Sequence, residues 1–425
     1  MLPCALAFAD NRRMTSPRFP WAGRLLALSC ILLSAFNLRT AVTSLTPLLD
    51  SLGGTFGFGA TMTGVFGMVP TAAFAAFGVL TPRLAHRIGL ERTALLSMLL
   101  AAGGLLARSC AGGTGGLLGG SVVALAGMGV GNVVLPPLVK RYFPDRVGSV
   151  STLYITVLQV GTMLPALAAV PLAQAAGWRV SLGVWSLLAV AAALAWMAVL
   201  WQERHHRGLL AVLHDRAVAP GDEAPELASP PARGSVWRAP LAWGMAFMFG
   251  MTSLVTYTMF TWLPRLLSEA GASQAFGGAM TALFSALGLV GALLVPGWAA
   301  RVRNPFPLVI GCVLGYLAAF AGLLLAPMQW PVLWVVLLGL GPTTFPLALT
   351  LINLRTRTPG GSAALSGFTQ GLGYTLSCAG PLLFGALHEA TGGWTWSFAF
   401  LLLCVALMVA GAWQACRPRM LEDQW

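Results

Sequence analysis

Arg39 is the residue whose position most constrains the chemistry of this 425-residue chain. It follows Arg24 by 15 positions within an apolar run. That is roughly 22 Å along a helix rising about 1.5 Å per residue, past the middle of a hydrocarbon core about 30 Å thick. An arginine at such a depth costs about 2.5–3.5 kcal/mol on insertion scales, so something must offset it. Its planar guanidinium can meet a carboxylate, a nitro group or another planar anion through paired hydrogen bonds. Alternatively it snorkels to the surface or pairs inside the protein. No Asp or Glu lies near the centre of any apolar run, which favours the anion.

Thr43 and Thr46 follow at i+4 and i+7, on the same face of a continuous helix, and are expected to line the same cavity as Arg39. Asn37 points about 200° away around the helix and is expected to bond a neighbouring helix. Gln370 and Tyr374 share a face at i, i+4 and can both donate and accept hydrogen bonds, with helix–helix bonding as the alternative role. Asn132, Tyr154 and Tyr257 are further polar candidates. Tyr154 and Gln159, five apart, are not expected to point into one cavity together. Trp262 reads equally as a gate or as an interfacial belt residue.

Other chemistries lack their residues. The five histidines, His86, His205, His206, His214 and His388, fall in or near expected loops, and the His205-His206 pair reads as part of a solvated loop and not as a metal site. Neither G-x-S-x-G nor H-E-x-x-H occurs, and Lys140 lacks the glycines of a phosphate loop. An enzyme or a nucleotide-driven pump is therefore not expected. The seven cysteines are irregularly spaced, mostly inside apolar runs and without a C-x-x-C pair; they read as small reduced apolar residues. No cofactor is expected.

The elements that position these residues follow from composition. Hydrophobic residues make up 57% of the chain and charged ones 9%, against about 25% charged in globular domains. Most of the surface must face lipid. Twelve apolar runs are long enough to span, near 24–49, 59–80, 91–110, 115–137, 150–172, 178–201, 239–263, 275–298, 307–326, 330–352, 362–385 and 394–416. With the N-terminus inside, 21 of the 25 basic residues fall in cytoplasmic segments and three (Arg108, Arg179 and Arg265) on the opposite side, leaving Arg39 within a span. This positive-inside bias fits an even number of spans with both termini cytoplasmic in a bacterial inner membrane. It also accounts for the formal charge of +12 without a nucleic-acid-binding module. The expected organisation is an N-terminal segment (1–23, with Met1 or Met14 as the start), a six-helix bundle (24–201), a flexible linker (202–238) rich in Pro, Ala, Glu and Arg, a second bundle (239–416) and a tail (417–425).

The halves echo one another: Gly127-x-Gly129 and Gly339-x-Gly341, Gly161 and Gly373, Gly177-Trp178 and Gly393-Trp394. Such repeats place a solute site near the midplane between them. The loop Pro82-Arg83-Leu84-Ala85-His86-Arg87-Ile88-Gly89-Leu90-Glu91-Arg92 resembles the signature of the major facilitator superfamily, with Pro82 for its opening Gly and His86 for its acid. The resemblance implies that Arg83, His86, Arg87, Gly89 and Arg92 serve the cytoplasmic gate, with a weakened latch at His86. Asn37-Leu38-Arg39, Gly131-Asn132, Lys140-Arg141-Tyr142-Phe143-Pro144, Trp262-Leu263-Pro264 and Ser366 to Tyr374 resemble, more narrowly, the cyanate permease and 2-nitroimidazole transporter family. That implies an all-α, twelve-helix membrane carrier, acting as a monomer on a small polar or anionic solute. Import and export both stay open, and a toxic-compound efflux carrier, a membrane sensor and a membrane enzyme are the alternatives. Proton coupling needs a titratable group in the pathway. The acids near outer helix ends are Asp50, Glu269 and Glu389, with His388 beside the last, so a coupling proton stays open too.

Overall fold

The computed structural model describes residues 21–143, 146–213 and 236–424. Among these residues every regular element is helical. Twelve spans follow one another: α1 (Arg24–Phe56), α2 (Ala60–Ile88), α3 (Leu90–Ser109), α4 (Thr114–Tyr142), α5 (Val147–Ala176), α6 (Trp178–Gly183 continuing as Trp185–Leu213), α7 (Pro240–Glu269), α8 (Gln274–Ala299), α9 (Phe306–Leu325), α10 (Pro331–Leu354), α11 (Pro359–Ser377 continuing as Ala379–Thr391) and α12 (Thr395–Ala415). Ten are long and apolar enough to cross a membrane by themselves; α7 and α11 are not in that set. The reason is where they lie. Most of α7 is buried, including Thr252, Ser253, Thr258 and Thr261, and α11 turns Ser366, Gln370 and Tyr374 toward an internal cavity. Neither needs an apolar surface for lipid.

Three expectations change. First, α6 stays helical to Leu213, beyond the expected start of the linker at 202; residues 214–235 of that linker, His214 among them, lie outside the described residues, as do 1–20. Second, Arg108 does not stand at the surface. It occupies the last turn of α3, entirely out of solvent. Third, α1 is not one continuous helix. It stops at Asn37, resumes as the short Thr40–Thr43 turn and a 3-10 turn at Thr46–Leu48, and ends as Leu49–Phe56.

Two seams join the halves. Along one, α5 packs on α8; along the other, α2 packs on α11. Both depend on glycine. A Cβ on Gly278 would lie 2.7 Å from the Ala166 carbonyl oxygen, and one on Gly64 would lie 2.8 Å from that of Pro381. Backbones approach this closely only where a side chain is missing, the usual device of packing between membrane helices.

The end of the bundle away from the basic loops, here the far end, is closed by polar groups. Arg265 of α7 bonds Glu269 at 2.9 Å and faces Asp50 of α1 at 3.6 Å. His388 of α11 stacks on Trp394 with ring centroids 3.7 Å apart and reaches Glu269 at 3.4 Å. The Glu389 carboxylate crosses to α2, accepting hydrogen bonds from the Thr61 backbone N–H at 2.9 Å and from its hydroxyl. Trp262, fully buried, donates its indole N–H to the Pro381 carbonyl at 2.9 Å, so it belongs to this closure and not to an interfacial belt.

At the near end the chain after α12 folds back over the second half. Glu422 accepts from the backbone N–H groups of Arg357 and Thr358 at 2.9 and 3.0 Å and from the Thr358 hydroxyl at 3.0 Å. These donors stand just before the first turn of α11, where the Thr358 hydroxyl in turn accepts from Gly361 N–H at 3.0 Å. Asp423 pairs with Arg357 through both oxygens, and Gln424 accepts from Leu241 N–H at the start of α7.

Two outcomes follow from these end contacts. Glu389→Gln weakens the charge-assisted bond to Thr61, so backbone amides in the first turn of α2 should exchange with solvent faster than in the native protein, as read by hydrogen–deuterium exchange; unchanged exchange there would mean that Glu389 does not hold the two halves. Partial burial pushes the Glu422 carboxyl up, but the bonds from its own backbone, from Thr358 and Arg357 N–H and from the Thr358 hydroxyl outweigh it and hold the group below the usual carboxylate range. A depressed acid contributes stability above its unfolded pKa and loses it as pH falls through the folded one. Melting temperature should therefore fall between about pH 5 and pH 3, and fall less in Glu422→Gln.

Candidate functional site

A cavity of about 1120 Å³ lies between the halves. It is walled by α1, α2, α4 and α5 on one side and by α7, α8, α10 and α11 on the other. Its mouth is at the near end, where Pro82, Pro136, Leu354 and Gly367 line it and are exposed. Its floor reaches Arg39, Thr162, Phe260 and Ser285 in mid-span.

Arg39 owes its place to the interruption of α1. The hydroxyl groups that follow bond back to main-chain carbonyls, Thr40 to Asn37 at 3.0 Å and Thr43 to Arg39 at 3.2 Å. Pro47 then lacks the N–H that a regular helix would use. Carbonyls freed by such a break must find donors inside the protein. Arg108 is the donor: its guanidinium bonds the Ala41 carbonyl at 2.6 Å and the Ser44 hydroxyl at 2.7 Å. The turn so held places the Arg39 guanidinium over the Phe74 ring at 4.6 Å and 5.9 Å from that of Tyr257. Phe74 in turn packs against Tyr257 and Tyr374, at 6.2 and 5.7 Å between centroids. Aromatic faces from both halves thus surround one cation. A cation–π contact of this kind is worth about 0.5–2 kcal/mol, less than the cost of stripping a guanidinium of water. Arg39 Nη1 is buried without a hydrogen-bond partner.

Arg39, Asn132, Tyr154, Tyr257, Gln370 and Tyr374 all line the cavity, as expected. Asn132 Nδ2 is buried and unpartnered, and Gln370 is steadied by donating to Ser366 Oγ at 2.8 Å. Asn37 and Thr43 do not line it. Asn37 is fully buried and donates to the Leu33 carbonyl of its own helix at 2.8 Å, not to a neighbour. Thr43 and Thr46 are buried against the bundle because the break turns them away from the face that Arg39 presents. Tyr154 and Gln159 both reach the cavity; it is wide enough to take residues well apart around α5, and Gln159 bridges the seam by donating to the Ser285 carbonyl of α8 at 3.1 Å. Phe74 was not legible as a site residue, since a lone Phe in an apolar run reads as lipid-facing. The superfamily-like loop lies at the near end, with Arg83, His86, Arg87, Gly89 and Arg92 all exposed. The acid there that is engaged is Glu91, which meets Arg141 at 3.2 Å and accepts from the Tyr142 hydroxyl at 3.1 Å.

The wall has one charged side chain. Among the described residues that line it there is no Asp, Glu, His, Lys or Cys, and no group of three or more metal-ligating side chains occurs among the described residues. The arrangement suits recognition of one negative charge on a flat group, with amide and hydroxyl donors around it.

Comparison with known proteins agrees with this architecture. The family model described as Major Facilitator Superfamily matches residues 29–378. An uncharacterized transporter of Bacillus subtilis (strain 168) is 33% identical over 386 residues, 90% of each chain. The 2-nitroimidazole transporter of Escherichia coli (strain K12) is 31% identical over 88% of this chain and 90% of its own. The cyanate transport protein CynX of the same strain is 30% identical over 89% and 94%. Among solved structures, a bacterial homolog to the human lysosomal transporter Spinster, in an inward-facing and occupied conformation, superposes with a TM-score of 0.70 at 16% identity, covering 96% of this chain and 99% of that one; at that identity the likeness concerns the fold. The chain is a membrane transporter, not an enzyme, and belongs to the Major Facilitator Superfamily, beside the 2-nitroimidazole and cyanate transporters.

Proposed function

We propose that this protein is a secondary transporter for small planar solutes carrying a single negative charge or a nitro group, held at Arg39. The observation that carries the reading is the cavity wall itself: one guanidinium with a buried, unpartnered Nη1 and no carboxylate to satisfy it. Asn132, Tyr154, Tyr257, Gln370 and Tyr374 supply the surrounding donors and acceptors. Two relatives named for cyanate and 2-nitroimidazole support the class, since both names denote small planar molecules with electron-rich ends.

In this reading the near end is cytoplasmic, in agreement with its basic loops, and both termini lie there. The bundles 24–201 and 239–416 are the two moving bodies, joined by a linker over 202–238. They rock about the glycine-lined seams, so that the cavity opens to either side in turn. The exposed Arg83, His86, Arg87, Gly89 and Arg92 meet the second half when the near end closes. Alternating access of this kind needs no motif for nucleotide binding, only a gradient.

The test is a thermal-shift screen of the purified full chain against 4-hydroxybenzoate, cyanate and 2-nitroimidazole. A true ligand at about 100 times its Kd stabilises the folded state by about 2.7 kcal/mol, visible as a clear rise in melting temperature. Arg39→Ala should fold and lose that rise, while Arg39→Lys keeps part of it. A rise that survives Arg39→Ala would move the site to Gln370 and Tyr374 and sink the anion reading.

A further inference from the structure

The cation in the cavity has nothing in the cavity that can cancel it. No lining residue among those described titrates near neutral pH or carries a negative charge. The acids of the far end, Asp50, Glu269 and Glu389, bond Arg265, His388, Trp394 and Thr61 and do not line the cavity. A guanidinium keeps its charge under any physiological condition. Behind Arg39 stands a second guanidinium. Arg108 is fully buried, Nη1 given to the Ala41 carbonyl and Nη2 to the Ser44 hydroxyl, two and five residues beyond Arg39. The same turn is therefore backed by a further positive charge without a carboxylate partner among its hydrogen bonds.

A carrier that opens to one side at a time must pass through a state closed at both ends. With the near end open, water reaches the cavity and the partly exposed side of Arg39, though Nη1 is already out of its reach. When both ends close, that hydration is lost. The rings of Phe74 and Tyr257 recover part of it, but an uncompensated ion in a low-dielectric site remains strongly disfavoured. A bound anion replaces the lost water with a charge-assisted pair. The loaded protein can then close and cross, and the empty one is held back on whichever side it finds itself. A carrier with a carboxylate in its cavity escapes this trap by taking up a proton. A fixed guanidinium has no such route.

We infer that the protein is an anion exchanger: it carries a monoanion one way and returns with another, and net movement of a single anion is slow. The inference rests on the anion site proposed above. Exchange of one monoanion for another moves no net charge, so its rate does not respond to membrane potential, whereas slow net movement of the anion does.

The experiment uses the full chain in liposomes, with radiolabelled 4-hydroxybenzoate as probe at about pH 8, where the acid is ionised, and protein-free vesicles as the blank. Uptake is compared between vesicles loaded with unlabelled 4-hydroxybenzoate and vesicles loaded with a neutral osmolyte. Uptake into the preloaded vesicles should be about tenfold faster or more, a factor equivalent to about 1.4 kcal/mol, and unaltered by a potassium-diffusion potential. Arg39→Gln should lose both modes of uptake together with the thermal shift by the probe. Arg39→Lys, which keeps a fixed charge, should preserve the preference. Equal rates in the native protein would overturn exchange and leave the anion carrier standing. No flux above the blank in either mode, together with no thermal shift by the probe, would overturn both.

Discussion

A guanidinium inside a membrane without a carboxylate beside it is the constraint around which this structure is arranged. The α1 helix gives up its regular path just before and after Arg39, and the main-chain groups released by the break are taken by Arg108 from α3. Arginine is suited to both roles for one reason. Its several fixed donors can satisfy carbonyl and hydroxyl oxygens at once in the core, or meet a flat anion edge-on in the cavity. One arginine turns its two terminal nitrogens to the protein itself, at the Ala41 carbonyl and the Ser44 hydroxyl, and keeps only Nε without a partner. The other is left with a donor unspent, and the aromatic faces of Phe74 and Tyr257 hold it without satisfying it.

The rest of the molecule divides according to what must be fixed and what must slide. Within the second half, α7, α11 and the residues after α12 are bound together at the near end by Glu422, Asp423 and Gln424. Between halves, the seams are made of bare backbone against glycine, at Gly64 and Gly278. Apart from Gln159, which donates to the Ser285 carbonyl across the α5–α8 seam, the polar and charged cross-half contacts described above lie at the far end, where Asp50 and Arg265 are still partly exposed.

Much of this was legible in the sequence, because the membrane leaves few choices. Apolar runs pointed to the twelve helices, ten of which are long and apolar enough to span by themselves, and repeated glycines pointed to the two halves. Arg39, Asn132, Tyr154, Tyr257, Gln370 and Tyr374 stood out as polar residues where lipid would reject them. What failed depended on path and not on composition. Thr43 and Thr46 were placed by assuming an unbroken α1, yet their own hydroxyl groups, bonding back to the main chain, help to break it. Arg108 was counted with the charges on the far side because it ends an apolar run; its burial depends on carbonyls that are freed only where α1 breaks. Phe74 carried no sequence signal, since a cation–π partner looks like any other apolar residue until the cation is placed above it.

The composition of α7 and α11 has a consequence for how the protein is made. A helix leaving the translocon partitions into lipid according to its own apolarity, and these two fall short of what the other ten possess. Both are cavity walls, with Ser253 and Thr256 of α7 and Ser366 and Gln370 of α11 among the lining residues. Neither is expected to settle in the bilayer alone. Each must be received by neighbours: α7 by α8 and α12, and α11 by α7 and by α2 of the half already in place. Biogenesis of the second half is therefore a matter of assembly as well as insertion, and the residues that make the binding cavity are the ones that make the chain wait.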